Sequence, residues 1–163
     1  MSVNKYLPHV FVLPEDDTNR QLANGFQLNV DKNRRMQVLE VAGGWSMVLS
    51  LFKSVHITEM ERHEKRFMVL LIDFDGNVNR LSRARADIPV HLADRVFVLG
   101  AWTHPEALRA SLRQAHLDSY ESIGSELAKD CRDETATTWG RDLLRHNASE
   151  LDRLREHLRP ILF

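Results

Sequence analysis

A single cysteine, Cys131, stands among the 163 residues, so no disulfide can form within the chain. No Cys or His lies near it at zinc-binding spacing, and a buried position on a helix is the expectation for its thiol. No run of 18 or more apolar residues occurs, which predicts no transmembrane helix. Met1 to Pro8 lack the basic and apolar regions of a secretion signal, and with the lone thiol this points to a reducing cytoplasm. Charge of one sign is also scarce: 22 Lys and Arg oppose 23 Asp and Glu, for a formal net charge of −1. Proteins that hold duplex nucleic acid tightly neutralise several phosphates with a basic face. Any such face here must be local, the candidates being Arg34 with Arg35, and the group Arg80, Arg83 and Arg85. Each taken alone reads first as solvated surface. The two tyrosines, Tyr6 and Tyr120, sit in no recognisable nucleophile context. Internal repeats and low-complexity segments are absent.

What remains is the composition of one soluble globular domain, 43% apolar and 28% charged, long enough to bury a core. Three short apolar runs without polar alternation, His9 to Leu13, Phe67 to Ile72 and Arg95 to Gly100, read as strands buried on both faces. A weaker fourth, Met36 to Val41, precedes Gly43-Gly44. Helical patterns fall between them: Thr18 to Leu28, with Asp17 or Thr18 as N-cap; Trp45 to Ser54; and an ambiguous Arg80 to Leu92, interrupted by Pro89. Thr103, Pro105 and Glu106 form a capping-box pattern for a further helix. Beyond it the chain is predicted to be helical, divided near Gly124 and Gly140. Leu143, Leu144, Leu151, Leu154 and Leu158 there recur at core-facing spacing. Strand and helix alternate, which predicts an α/β fold: a mostly parallel, four-stranded, Rossmann-like sheet flanked by helices, with a helical C-terminal extension.

Ligands of such sheets bind at the carboxyl ends of the strands, and those ends are acidic. Glu15, Asp16 and Asp17 follow the first strand. Asp73-Phe74-Asp75-Gly76-Asn77 follows the Phe67–Ile72 strand. If the chain stays extended there, Asp73 and Asp75 point the same way, roughly 7 Å apart at Cα, with Phe74 turned into the core. Carboxylates gathered in this way repel one another unless a divalent cation, protonation or solvent relieves them. Mg²⁺ favours oxygen ligands and is often held by one or two carboxylates plus substrate phosphate. The competing structural role is a turn whose acids cap the following helix.

VFVLPEDD and FMVLLIDFDGN together resemble the motifs of the Toprim domain found in topoisomerases, DnaG-type primases and OLD-family nucleases. That family carries a Glu after its first strand and an Asp-x-Asp after a later one. The resemblance covers about residues 8 to 115, with the Gly43-Gly44 turn in the intervening position. It departs from the family in having Asp16 where Gly often follows the Glu, so Glu15 or Asp16 could face a metal. The resemblance implies a Toprim-like α/β core over residues 1–117 and a helical extension over 118–163 packed on the same domain. It implies Mg²⁺ or Mn²⁺ held by Glu15, Asp16, Asp73 and Asp75, with Glu15, Asp73 and Asp75 as catalytic residues. It further implies nuclease-like phosphodiester chemistry on nucleic acid, and, at the level of the family, a bacterial role in genome maintenance or defence.

Other assignments stay open. Asp73-x-Asp75-Gly also resembles the first motif of haloacid-dehalogenase phosphatases, without their later Lys and acidic pair. Glu15, Asp16 and Asp73 resemble the acids of response-regulator receivers, with Thr103 in the hydroxyl position, but no later strand ends in Lys. A non-catalytic Toprim-like or receiver-like subunit that binds a protein partner is the alternative from a different class. Its C-terminal helices, ending Pro160-Ile-Leu-Phe163, would complete the core or support a homo-oligomer or a larger complex. His104, Glu106 and Trp102 border the acidic site and could touch substrate, though capping and core packing account for them.

Overall fold

The computed structural model describes residues 2–163. Four strands, β1 (His9–Pro14), β2 (Met36–Val38), β3 (Arg66–Leu71) and β4 (Val96–Leu99), form one sheet in the order β2-β1-β3-β4, every pair parallel. The α/β expectation therefore holds, and all three strong apolar runs are strands. β2 is shorter than the Met36–Val41 run suggested.

Side-chain alternation divides the sheet's residues between two cores. Val10, Val12, Val69, Phe97 and Leu99 face one side, and Leu13, Met68, Leu70, Val96 and Val98 the other. On the first side lie α1 (Asp17–Gln27), α5 (Pro105–Leu112), α6 (Tyr120–Asp133), α7 (Ala148–His157) and α8 (Arg159–Leu162), which contribute residues such as Leu22, Leu108, Ile123, Leu151 and Leu162. On the second lie α2 (Trp45–Leu51), α3 (Ile57–Arg62) and α4 (Asn79–Ala86), with Val48, Met60 and Ala84. A π-helical turn, Phe52–His56, joins α2 to α3, so the helical stretch runs well past Ser54. The ambiguous Arg80–Leu92 segment resolves into α4 and a 3-10 helix, Val90–Arg95, that begins directly after Pro89. No helix among the described residues is long and apolar enough to cross a membrane.

Two local expectations shift. The N-cap of α5 is His104, whose Nδ1 accepts from the Ala107 amide at 3.1 Å, and not Thr103. Gly124 does not divide the tail but sits inside α6. A Cβ there would lie 1.9 Å from the Leu22 carbonyl oxygen, and one on Gly25 would lie 2.0 Å from that of Glu121. The two glycines let α1 and α6 touch backbone to backbone, which no larger residue would permit.

The tail also closes the outer edge of the sheet. Along α7 and the residue before it, Asn147, Glu150 and Arg153 recur every three positions and so share one helix face. Asn147 donates to the Gly100 carbonyl (3.0 Å) and accepts from its amide (3.2 Å). Glu150 accepts from the Val98 amide at 2.8 Å, and Arg153 reaches the Val96 carbonyl at 3.4 Å. These are the outward-facing polar groups of β4 that a fifth strand would otherwise satisfy.

Candidate functional site

The chain passes from β1 through α1 to β2 on one side, then crosses the other face to reach β3 on the opposite side of β1. The topological switch point therefore lies between β1 and β3, where parallel sheets open a crevice for ligands. Glu15 and Asp73 follow those two strands. The Asp73 amide donates to Glu15 Oε2 at 2.7 Å, tying the two strand ends together. The Glu15 carbonyl accepts from the amides of Gly43 (2.9 Å) and Gly44 (3.2 Å), which seats the glycine turn before α2 against the same crevice.

The N-cap of α1 is Asp16, ahead of both expected candidates, Asp17 and Thr18. Its Oδ1 accepts from the Asn19 amide (2.9 Å), Thr18 Oγ1 (2.9 Å) and Asn19 Nδ2 (3.0 Å). The same Asn19 Nδ2 also donates to Asp73 Oδ1 at 2.9 Å. One fully buried amide thus clamps two carboxylates. Glu15, Asp16 and Asp73 are in this way brought together.

Asp75 is not. The extended path expected after Leu71 lasts only to Phe74. Asp75 then takes a left-handed backbone (φ 48°) and Gly76 follows (φ 66°), so the alternation that would have aligned Asp75 with Asp73 is lost. The exposed Asp75 carboxylate pairs with Arg80 Nη2 at 2.7 Å. Phe74 does turn into the core, 1% exposed, edge-on to His146 (4.8 Å between centroids) and stacked on Trp102 (6.3 Å). Trp102 is therefore a packing residue on that face. Burial lowers the pKa of His146, favouring the neutral ring among these aromatics. Away from the site, burial pushes the Cys131 thiol up to about 11, consistent with an inert core position.

Electrostatics single out Asp73. It is 7% exposed, and its pKa rises to about 7. Burial is the main cause; the Asn19 hydrogen bond opposes it, and the nearby charges of Glu15, Asp16 and Glu106 reinforce it. Glu15 is raised as well, by burial first and by Asp16 and Asp75 among its neighbours, against the pull of the Asp73 amide and of Arg80. Among the described residues neither carboxylate forms an ion pair with a cation. The nearest guanidinium, Arg80, is engaged with the Asp73 carbonyl (2.5 Å) and with Asp75.

Among the described residues no three His, Cys, Asp or Glu side chains converge closely enough to form a metal cage. The oxygens present suit a hard cation in kind: the carboxylates of Glu15 and Asp73, and Asn19 Oδ1, which is buried and accepts no hydrogen bond. Such a set would leave the remaining positions to water and substrate phosphate. Asp16 is committed to capping and Asp75 to Arg80.

Asn19 and Arg80 escaped the sequence reading as site residues. The signal for Asn19 was its place three residues after an N-cap acid, where a side chain can return to the cap. Arg80 was legible only as part of a basic group, because its contacts with Asp75 and the Asp73 carbonyl depend on the left-handed turn between them, and its guanidinium carbon also lies 4.7 Å from the Trp45 ring centre. Neither a family model, nor a curated protein, nor a solved structure matches this chain.

Proposed function

We propose that this is a Toprim-like protein that carries out Mg²⁺- or Mn²⁺-dependent, nuclease-like phosphodiester chemistry on nucleic acid, in a reducing cytoplasm that suits its unpaired thiol. The observation that carries the proposal is the joining of Glu15 and Asp73 at the β1/β3 switch point, where burial and mutual repulsion leave Asp73 poised near neutral pH. A divalent cation bound between such carboxylates would offset the cost of burying their charge, the main cause of their raised pKa values, and their mutual repulsion as well. When bound, the metal would stabilise charge on the transferring phosphoryl group. Glu15 and Asp73 would hold it, with Asn19 orienting Asp73. Asp75 would join only by leaving Arg80. Where Glu15 does not ligate the metal, its pKa, raised by burial, suits it to carry a proton to or from the reacting oxygen.

A receiver-like role has less support. The fifth-strand position beside β4, from which a receiver presents its Lys, is occupied by α7. A purely partner-binding subunit would have no need of a strained acid pair in the crevice.

The test is cleavage of plasmid and single-stranded DNA and RNA with Mg²⁺ or Mn²⁺, by wild type, Asp73→Asn and Glu15→Gln. Metal-dependent cleavage by wild type, lost in both variants, is the expected result. No cleavage, together with no cation binding by calorimetry, would sink the proposal.

A further inference from the structure

The three arginines that follow the acidic loop look alike in sequence, yet the fold gives each a different task. Arg85 is bound to the buried Glu150. Arg80, only 14% exposed, is spent on Asp75 and on the Asp73 carbonyl. Arg83 is exposed and, among the described residues, makes no ion pair and no hydrogen bond. It is nevertheless held in place: its guanidinium carbon lies 5.1 Å from the Trp45 ring centre, and that of Arg80 lies 4.7 Å from the same ring. Stacking on an indole fixes the plane of a guanidinium while its N–H edges stay free to donate. A continuous chain of contacts thus leads outward from Asp73 through Arg80 and Trp45 to Arg83.

We infer that Arg83, set on Trp45 and backed by Arg80, is a phosphate-contacting residue that holds the sugar–phosphate backbone of a nucleic-acid strand as it leaves the Glu15–Asp73 crevice. The inference rests on the proposed phosphodiester chemistry and names how that site would take its substrate. Three features support it. A chain of net charge −1 needs a local cation to draw a polyanion towards an acidic crevice. A fixed guanidinium with an unused donor edge matches a phosphate's paired oxygens. The Trp45 ring already carries two arginines, so the contact is with backbone phosphate rather than with a stacked base, and it should be indifferent to sequence.

The experiment is fluorescence anisotropy of labelled single-stranded and duplex oligonucleotides in EDTA, which separates binding from cleavage. It uses the full chain as wild type, Arg83→Ala and Arg83→Glu. Arg34→Ala serves as control, because Arg34 donates to the Ser2 carbonyl, away from the crevice. Arg83→Glu should weaken binding about tenfold or more on oligonucleotides of unrelated sequence. Arg83→Ala should flatten the plot of log affinity against log salt by about 0.7 for single strands or 0.9 for duplexes, the share of one phosphate. Arg34→Ala should change neither. Equal binding by wild type and Arg83→Glu, or no binding by wild type, overturns the inference. If wild type still cleaves with metal in that case, the proposed chemistry survives. Binding that depends on Arg83 in a protein with no metal-dependent cleavage keeps the phosphate contact and removes the chemistry. Matching melting curves would show that the Arg83 variants are folded.

Discussion

Two buried carboxylates lie against this sheet, and they are treated in opposite ways. Glu150, 2% exposed, meets the guanidiniums of Arg85 and Arg153 and the Val98 amide. Asp73, 7% exposed, receives one neutral amide and otherwise faces Glu15 and Asp16. A buried acid supplied with cations and donors serves the fold. A buried acid crowded by other acids opposes the fold, and persists where something bound from outside can relieve it. Position agrees with this division: Glu150 seals an edge strand, whereas Asp73 lies at the switch point, where parallel sheets as a class bind ligands.

The contrast is most easily broken by removing each acid in turn. Glu150→Ala should destabilise the protein by about 3 kcal/mol, because it strands two arginines and a buried amide. Urea denaturation would check this, and a loss under about 1 kcal/mol would mean that the pair is dispensable. Asp73→Asn should act with the opposite sign, stabilising by about 2 kcal/mol at pH 8. The direction follows from linkage. The folded pKa, about 7, lies above the unfolded value near 3.8. Proton binding by Asp73 therefore favours the folded state fully below about pH 3.8, and this contribution is lost as pH rises to about 7. The advantage of the variant should then shrink on acidification and vanish near pH 4. A variant equally stabilised at both pH values would show that the buried charge of Asp73 is not the cause.

A smaller effect sharpens the same comparison. Asn19→Ala removes the clamp between Asp16 and Asp73 and should destabilise by about 1 kcal/mol, while moving the Asp73 titration, followed by carboxyl NMR, further upward. At the amino end of the sheet a buried histidine beside an arginine offers a third case. Buried His9 donates from Nδ1 to the Leu7 carbonyl (2.8 Å) and accepts from Arg66 Nε at Nε2 (3.1 Å). Burial is the main cause of its lowered pKa. Its stabilising contribution is therefore present above the unfolded value of 6.5 and is lost as pH falls below it. Thermal melts of His9→Gln and wild type should draw closer as pH falls from 7 to 5. Parallel curves would remove His9 from the account.

Much of the fold was legible because strands buried on both faces must be apolar throughout, and β1, β3 and β4 announce themselves in that way. The acids at the ends of β1 and β3 were legible for the same reason, as abrupt polarity after a buried run. What stayed hidden depended on backbone twist or on distant partners. Asp75 left its neighbour because a left-handed turn replaced the extended path. Gly124 looked like a break because its reason for being glycine, the Leu22 carbonyl, lies about a hundred residues away in sequence. The ladder of Asn147, Glu150 and Arg153 reads as an ordinary polar helix face until β4 is set beside it.

That ladder has a consequence for self-association. A sheet polymerises without limit only if it has two edges to offer, since each added molecule must both receive and present a strand. With β4 covered, one edge is left, the three-residue β2, and the Met36 carbonyl there already accepts from Gln27 at 2.7 Å. Two copies could meet edge to edge at β2, but the pair would then have no edge left with which to recruit a third.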